Sequence, residues 1–93
     1  MQINSSTKTK SHSQDRRLMR EILEKLKDHK YAEPFSGPVD WKGMGLLDYP
    51  QIISKPMDLS TVENKLDNRR YKYIESFFED IHLIWTNCIT YNS

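Results

Sequence analysis

Asp48-Tyr49-Pro50-Gln51-Ile52-Ile53-Ser54-Lys55-Pro56-Met57-Asp58-Leu59-Ser60-Thr61-Val62-Glu63 decides the fold, because its two halves obey different rules. The first half sets Pro50 and Pro56 among apolar side chains. Proline biases the residue before it away from the helical region, so Tyr49 and Lys55 are expected in extended or turn conformations. The second half starts a helix. Ser60-Thr61-Val62-Glu63 has the S/T-x-x-E form, in which hydroxyl and carboxylate cap each other's backbone amides. Leu59, Val62 and Leu66 then fall on one face, turned inward.

Upstream, all four prolines and all three glycines lie between Pro34 and Pro56. The segment 31–59 that holds them is also rich in Phe, Trp, Tyr, Met, Leu and Ile, which a solvated linker would not be. Helical connections usually run about 2–8 residues, and much longer ones tend to be functional or disordered. The aromatic and proline content predicts an ordered loop folded over one end of a bundle, with Glu33 and Gly37, each before a proline, also in turn or extended positions. Before the loop, Leu18, Met19, Ile22, Leu23 and Leu26 recur at steps of three and four, predicting an amphipathic helix over 15–30. Asp15 suits its N-cap and His29-Lys30 its C-terminal end. Downstream, Ile74, Phe77, Phe78, Ile81, Ile84, Trp85, Cys88 and Tyr91 form the longest stripe, with Glu75, Glu79, Asp80 and Asn87 assigned to the opposite face. Nothing alternates with period two, so the chain reads as all-α.

Composition bounds the rest. Leu, Ile, Val and Phe make 21 of 93 residues; that is roughly 23%, just above the ~20% below which chains stay disordered. Residues 1–14 hold only Met1 and Ile3 as large apolar groups and are expected to form a flexible polar tail. No apolar run approaches the ~18 residues of a membrane span, and the start lacks a signal-peptide core, so a soluble intracellular protein is expected, with no membrane partner. Cys88 is the single cysteine, which rules out an internal disulfide; it is most simply a small buried apolar group. His12, His29 and His82 are scattered, so no metal site is expected, and neither a phosphate-cradling glycine loop nor a nucleophile with its base is found. The reading is therefore of a non-enzyme without cofactor. Residues 1–30 carry a net charge of +4 and residues 31–93 a net charge of −3. The basic first helix, through Arg16, Arg17 and Arg20, offers nucleic acid a weak secondary contact, while Glu33, Asp40 and Asp48 in the loop favour a basic partner. The bland reading of both is a solvated surface.

Taken together, Pro34-Phe35, Pro38-Val39-Asp40, the stretch from Asp48 through Val62, and the ending Asn87-Cys88-Ile89-Thr90-Tyr91-Asn92 resemble the bromodomain family in order and spacing. The match runs over residues 15–93. The resemblance implies a left-handed four-helix bundle with a long loop between its first two helices, the loop packing beside the last one to form an acetyl-lysine pocket. The fourth helix of that bundle is missing from this chain, which predicts low stability or self-association through an uncovered face.

By the resemblance, Asn92 donates its side-chain amide to the acetyl carbonyl, and Tyr49 holds a water that bridges to the same oxygen. Phe35, Val39 and Pro34 line wall and floor, and Met44, Leu46, Cys88 and Tyr91 close the sides. Helical spacing places Asn92 on the apolar stripe, four beyond Cys88, where a polar group needs a partner. Two roles stay open for it, ligand donor or C-terminal cap. Tyr49 taken alone reads more readily as a core aromatic with a satisfied hydroxyl, a preference reversed by its place after Asp48 and before Pro-Met-Asp, whereas Met44 and Leu46 are equally core or pocket. Many family members carry Trp where Glu33 stands, so a carboxylate at the rim favours tails with neighbouring Lys or Arg. The implied function is a nuclear reader of acetylated histone tails, or other acetylated proteins, in chromatin and transcription regulation. The alternative is a structural or interaction fragment that no longer binds acetyl-lysine.

Overall fold

A computed structural model describes residues 12–93. Among them no strand occurs, and helices account for the architecture. Helix α1 spans His12–Asp28, α2 is a single turn at Tyr49–Ile52, α3 spans Leu59–Asp67 and α4 spans Ile74–Asn92. The expected tail falls, for residues 1–11, outside the described residues; α1 already includes His12, so Asp15 sits inside its first turn and not at the N-cap.

Helices α1, α3 and α4 share one core. Met19 and Leu23 from α1, Leu59 and Val62 from α3, and Phe77 from α4 are fully buried, with Leu66, Tyr71 and Ile84 beside them. Side chains of this size each contribute about 1.5–3 kcal/mol on leaving water, against the entropy of ordering them. The apolar stripes read from spacing hold in outline, but Leu18 and Phe78 stay largely exposed.

Helix α3 starts one residue earlier than its Ser60 signature suggests, and a different residue caps it. Asp58 is the N-cap: its carboxylate accepts from Thr61 N at 3.0 Å, and from the hydroxyls of Ser60 at 2.5 Å and Thr61 at 2.6 Å. A carboxylate is a stronger acceptor than a hydroxyl at a helix N-terminus, so it takes the position. Glu63, released from that role, accepts from Arg20 at 3.1 Å and from Lys27 at 3.0 Å. Arg20 also reaches Glu24 and Asp67. Burial works against its charge, but these carboxylates outweigh it and hold the guanidinium above its ordinary pKa. Arg20 thus serves α1–α3 pairing and drops out of the free basic face expected of the first helix.

The other end of α3 is closed by a Schellman turn. Arg70 N donates to Lys65 O at 2.8 Å and Arg69 N to Leu66 O at 3.1 Å, with Arg69 at φ 56°. Glycine usually occupies such a position; a side chain in the left-handed region costs about 1 kcal/mol.

Asp80, assigned by polarity to the outer face of α4, is buried. It lies three beyond Phe77 and four before Ile84, on the inner stripe. Its Oδ2 accepts from the Tyr71 hydroxyl and from Lys65 Nζ, each at 2.6 Å, which offsets the cost of taking the charge out of water. Burial first, then the bond to Asp80, pushes the Tyr71 phenol far above its usual pKa.

Candidate functional site

The connection from α1 to α3 folds as a chain of turns. After a 3-10 turn at Glu33–Phe35, Met44 N donates to Asp40 O at 2.9 Å and Leu46 N to Trp41 O at 2.7 Å, and Gly45 takes φ +73° to let the chain reverse. Glu33 therefore begins a helical turn. Tyr49 does as well: it opens α2 with Pro50 next, in the first turn of a helix, where proline's missing N–H is no loss. The local bias against helix before proline gives way here; Asp48 stands before the turn with no side-chain cap, and its carbonyl receives Gln51 N at 3.0 Å and Ile52 N at 3.2 Å.

Three ties bind this loop to α4. The Tyr91 hydroxyl donates to Asp48 Oδ1 at 2.6 Å, and Asn87 Nδ2 donates to Lys55 O at 2.8 Å. Phe35 packs edge-on against Trp85, centroids 4.7 Å apart at 83°. Between loop and helix remains a cavity of about 370 Å³. All nine residues singled out from the sequence line it: Pro34, Phe35, Val39, Met44, Leu46 and Tyr49 from the loop, Cys88, Tyr91 and Asn92 from α4. Gly37, Met57, Ile84 and Asn87 line it too. Asn87 had been assigned to the polar face of α4; it sits one turn before Tyr91, and that spacing was the available signal. Ile84, one turn before Cys88, was legible in the same way.

The polar groups at the cavity are few. Tyr49 is buried, its ring 4.9 Å from that of Tyr91 and tilted by 59°. Burial, with Cys88 nearby, raises its phenol pKa, so the hydroxyl stays protonated and can donate. The Tyr91 phenol is raised as well, chiefly by its hydrogen bond to Asp48. Asn92 is exposed at the mouth, and its Nδ2 donates to Cys88 O at 2.8 Å. The bond runs back one turn within the helix; Asn92 is the last residue of α4 and Ser93 takes the C-cap position, so this is not the capping role left open for Asn92. The amide nitrogen also donates to Cys88 Sγ at 3.6 Å; sulfur is a weak acceptor, so a ligand carbonyl competes readily for that N–H. Among the described residues no group of three His, Cys, Asp or Glu could hold a metal ion, and no helix is long and apolar enough to cross a membrane.

The bromodomain family model matches residues 19–93. The chain belongs to the bromodomain family. Relatives in Arabidopsis thaliana include "Transcription factor GTE1", 40% identical over 78 residues, which cover 81% of this chain and 20% of that protein. "Transcription factor GTE4" is 48% identical over 71 residues, 76% of this chain and 9% of the relative; "Transcription factor GTE5, chloroplastic" is 49% identical over 71 residues, 76% of this chain and 15% of the relative. The chain thus spans a fifth or less of the length of these relatives. In this bromodomain the cavity is mostly apolar, its polar lining being the buried Tyr49 phenol, the Tyr91 phenol and the amides of Asn87 and Asn92. Such a slot suits a neutral polar group on an apolar stem and disfavours a bare cation, whose desolvation would cost several kcal/mol. Glu33, Asp40 and Asp48 are exposed and adjoin lining residues, so the surface around the mouth carries negative charge.

Proposed function

We propose that this bromodomain is a non-catalytic reader of acetyl-lysine, engaging acetylated histone tails or other acetylated proteins in the nucleus as part of a transcription regulator. The observation that carries the reading is the Asn92 amide at the mouth of an apolar cavity, beside the buried Tyr49 phenol. Acetylation converts a hydrated ammonium into a neutral amide ending in a methyl group. The methyl and stem fit among Phe35, Val39 and Met57, and the carbonyl accepts from the Asn92 N–H in place of the weak Cys88 Sγ acceptor and, through a water, from Tyr49. Selectivity against unmodified lysine comes from what the slot lacks, a buried carboxylate. The exposed acids around the mouth favour tails with Lys or Arg beside the acetylated position. The relatives' names as transcription factors support the setting.

Isothermal titration with acetylated and unmodified tail peptides tests the proposal. Binding of the acetylated peptide alone, weakened at least about tenfold by Asn92→Ala, is expected; that ratio corresponds to about 1.4 kcal/mol. Equal affinity for the two peptides, or an Asn92→Ala variant that binds like the parent chain, would sink it.

A further inference from the structure

The far end of the bundle carries a second concavity with the opposite charge. A groove of about 560 Å³ opens between the start of α1 and the turn joining α3 to α4. Arg16, Arg69, Arg70 and Lys72 line it, against one acid, Asp15; Met19 and Tyr71 form its floor. Among the described residues none of these four cations is paired with a carboxylate, whereas Arg20, Lys27 and Lys65 all are. Three of the four are arginines, whose planar guanidinium matches phosphate oxygens two at a time.

Arg69 supplies an independent pointer. It occupies the left-handed position of the Schellman turn, where glycine would close α3 without strain. A strained residue at a place where a simpler one would serve marks a position held for something other than folding. What this one contributes is a guanidinium on the lip of the groove.

We propose that the groove formed by Arg16, Arg69, Arg70 and Lys72 binds the phosphodiester backbone of duplex DNA. A flexible acidic peptide would have to be ordered along a short groove before it could pair with these cations, at an entropic cost. A duplex presents its charges already spaced on a stiff rod, and exposed side chains can meet them without a shaped pocket. Ile74 at the start of α4 lines the groove and Asn92 at its end lines the acetyl-lysine cavity. At 1.5 Å rise per residue the two sites lie about 27 Å apart. DNA contact at one end therefore leaves the other open, and the proposal stands apart from the acetyl-lysine reading.

The test is fluorescence anisotropy of a labelled duplex of about 20 base pairs with the 93-residue chain, over a series of salt concentrations. Four phosphate contacts predict a log–log salt slope of about −3.6, or roughly a hundredfold loss of affinity between about 50 and 200 mM salt. Arg69→Gly should flatten the slope by about 0.9 while its melting temperature holds or rises, since glycine relieves the turn. The triple variant Arg69→Gly/Arg70→Ala/Lys72→Ala should bind at least about tenfold more weakly at low salt, and Lys25→Ala/Lys30→Ala, outside the groove, should match the parent within about twofold. No binding near 50 mM salt, full binding by the triple variant, or an equal loss in Lys25→Ala/Lys30→Ala overturns the proposal. So does polyglutamate that competes as well as DNA at equal charge, which would assign the groove to an acidic protein.

Discussion

Replacing Asp80 by alanine removes one of the two carboxylates buried in the bundle, and the cost can be worked out donor by donor. Asp80 is 4% exposed and accepts from the Tyr71 hydroxyl and Lys65 Nζ. The Lys65 side chain keeps 32% of its surface, so on losing its partner it turns to water at a cost of about 0.5 kcal/mol. Tyr71 is 6% exposed, and its hydroxyl would be left in the core without an acceptor, at about 1–3 kcal/mol. Asp80→Ala should therefore lose about 2 kcal/mol, a fall in melting temperature of roughly 8–16 °C for a domain of this size. Asp80→Asn keeps an acceptor for the phenol and gives up only the charge beside Lys65, so its loss should stay below about 1 kcal/mol. Thermal and urea unfolding of Asp80→Ala, Tyr71→Phe and the double variant complete the cycle, with a coupling of about 1 kcal/mol expected between the two sites. Additivity to within about 0.5 kcal/mol, or an Asp80→Ala loss no larger than that of Asp80→Asn, refutes the reasoning.

Three further outcomes follow from the described contacts. Asp58→Ala, which strips α3 of its cap, should cost about 1–2 kcal/mol by chemical denaturation and Ser60→Ala only a few tenths; equal losses would restore Ser60 as the cap. Tyr91→Phe keeps the ring against Tyr49 but frees Asp48 from α4, so acetylated-peptide affinity should fall about threefold to tenfold with little change in melting temperature. A variant that binds like the parent would show that this tie does not hold the loop. Tyr49 and Tyr71 have folded-state pKa values raised by burial, so both stabilise the fold fully below the unfolded value of about 10. Stability should decline as pH climbs above that point, and Tyr71→Phe should blunt the decline; an identical alkaline profile in the variant would contradict this.

The sequence made the long-range plan legible where periodicity was strong and misled where chemical type stood in for position. The spacing of Leu59, Val62 and Leu66, and of Phe77, Ile81 and Ile84, defined the buried faces, because three-to-four periodicity reports geometry directly. Asp80 and Asn87 obey the same spacing, yet their polarity argued for the outside; each is held inward by a partner distant in sequence, Tyr71 with Lys65 for one and the Lys55 carbonyl for the other. The S-x-x-E signature located the start of α3 to within a residue but named the wrong cap, since Asp58 competes as the stronger acceptor. Arg20 looked free in its own helix because two of its acids, Glu63 and Asp67, reach it only through tertiary packing. Spacing put Cys88, Tyr91 and Asn92 on one stripe of α4, but the loop residues of the cavity came from the family resemblance, because periodicity has no purchase on an irregular loop. Gly37 and Met57 went unnamed for that reason.

The loop's three ties to α4, through Tyr91, Asn87 and Phe35, bear on how fast the site can work. A cavity whose walls are already braced asks for no refolding when a side chain enters, so little of the contact energy is lost to ordering the host. Association should then be set by diffusion and orientation alone, and the lifetime of the complex by how readily the guest withdraws. Such a module samples many tails in quick succession, and it dwells where neighbouring contacts slow the exit.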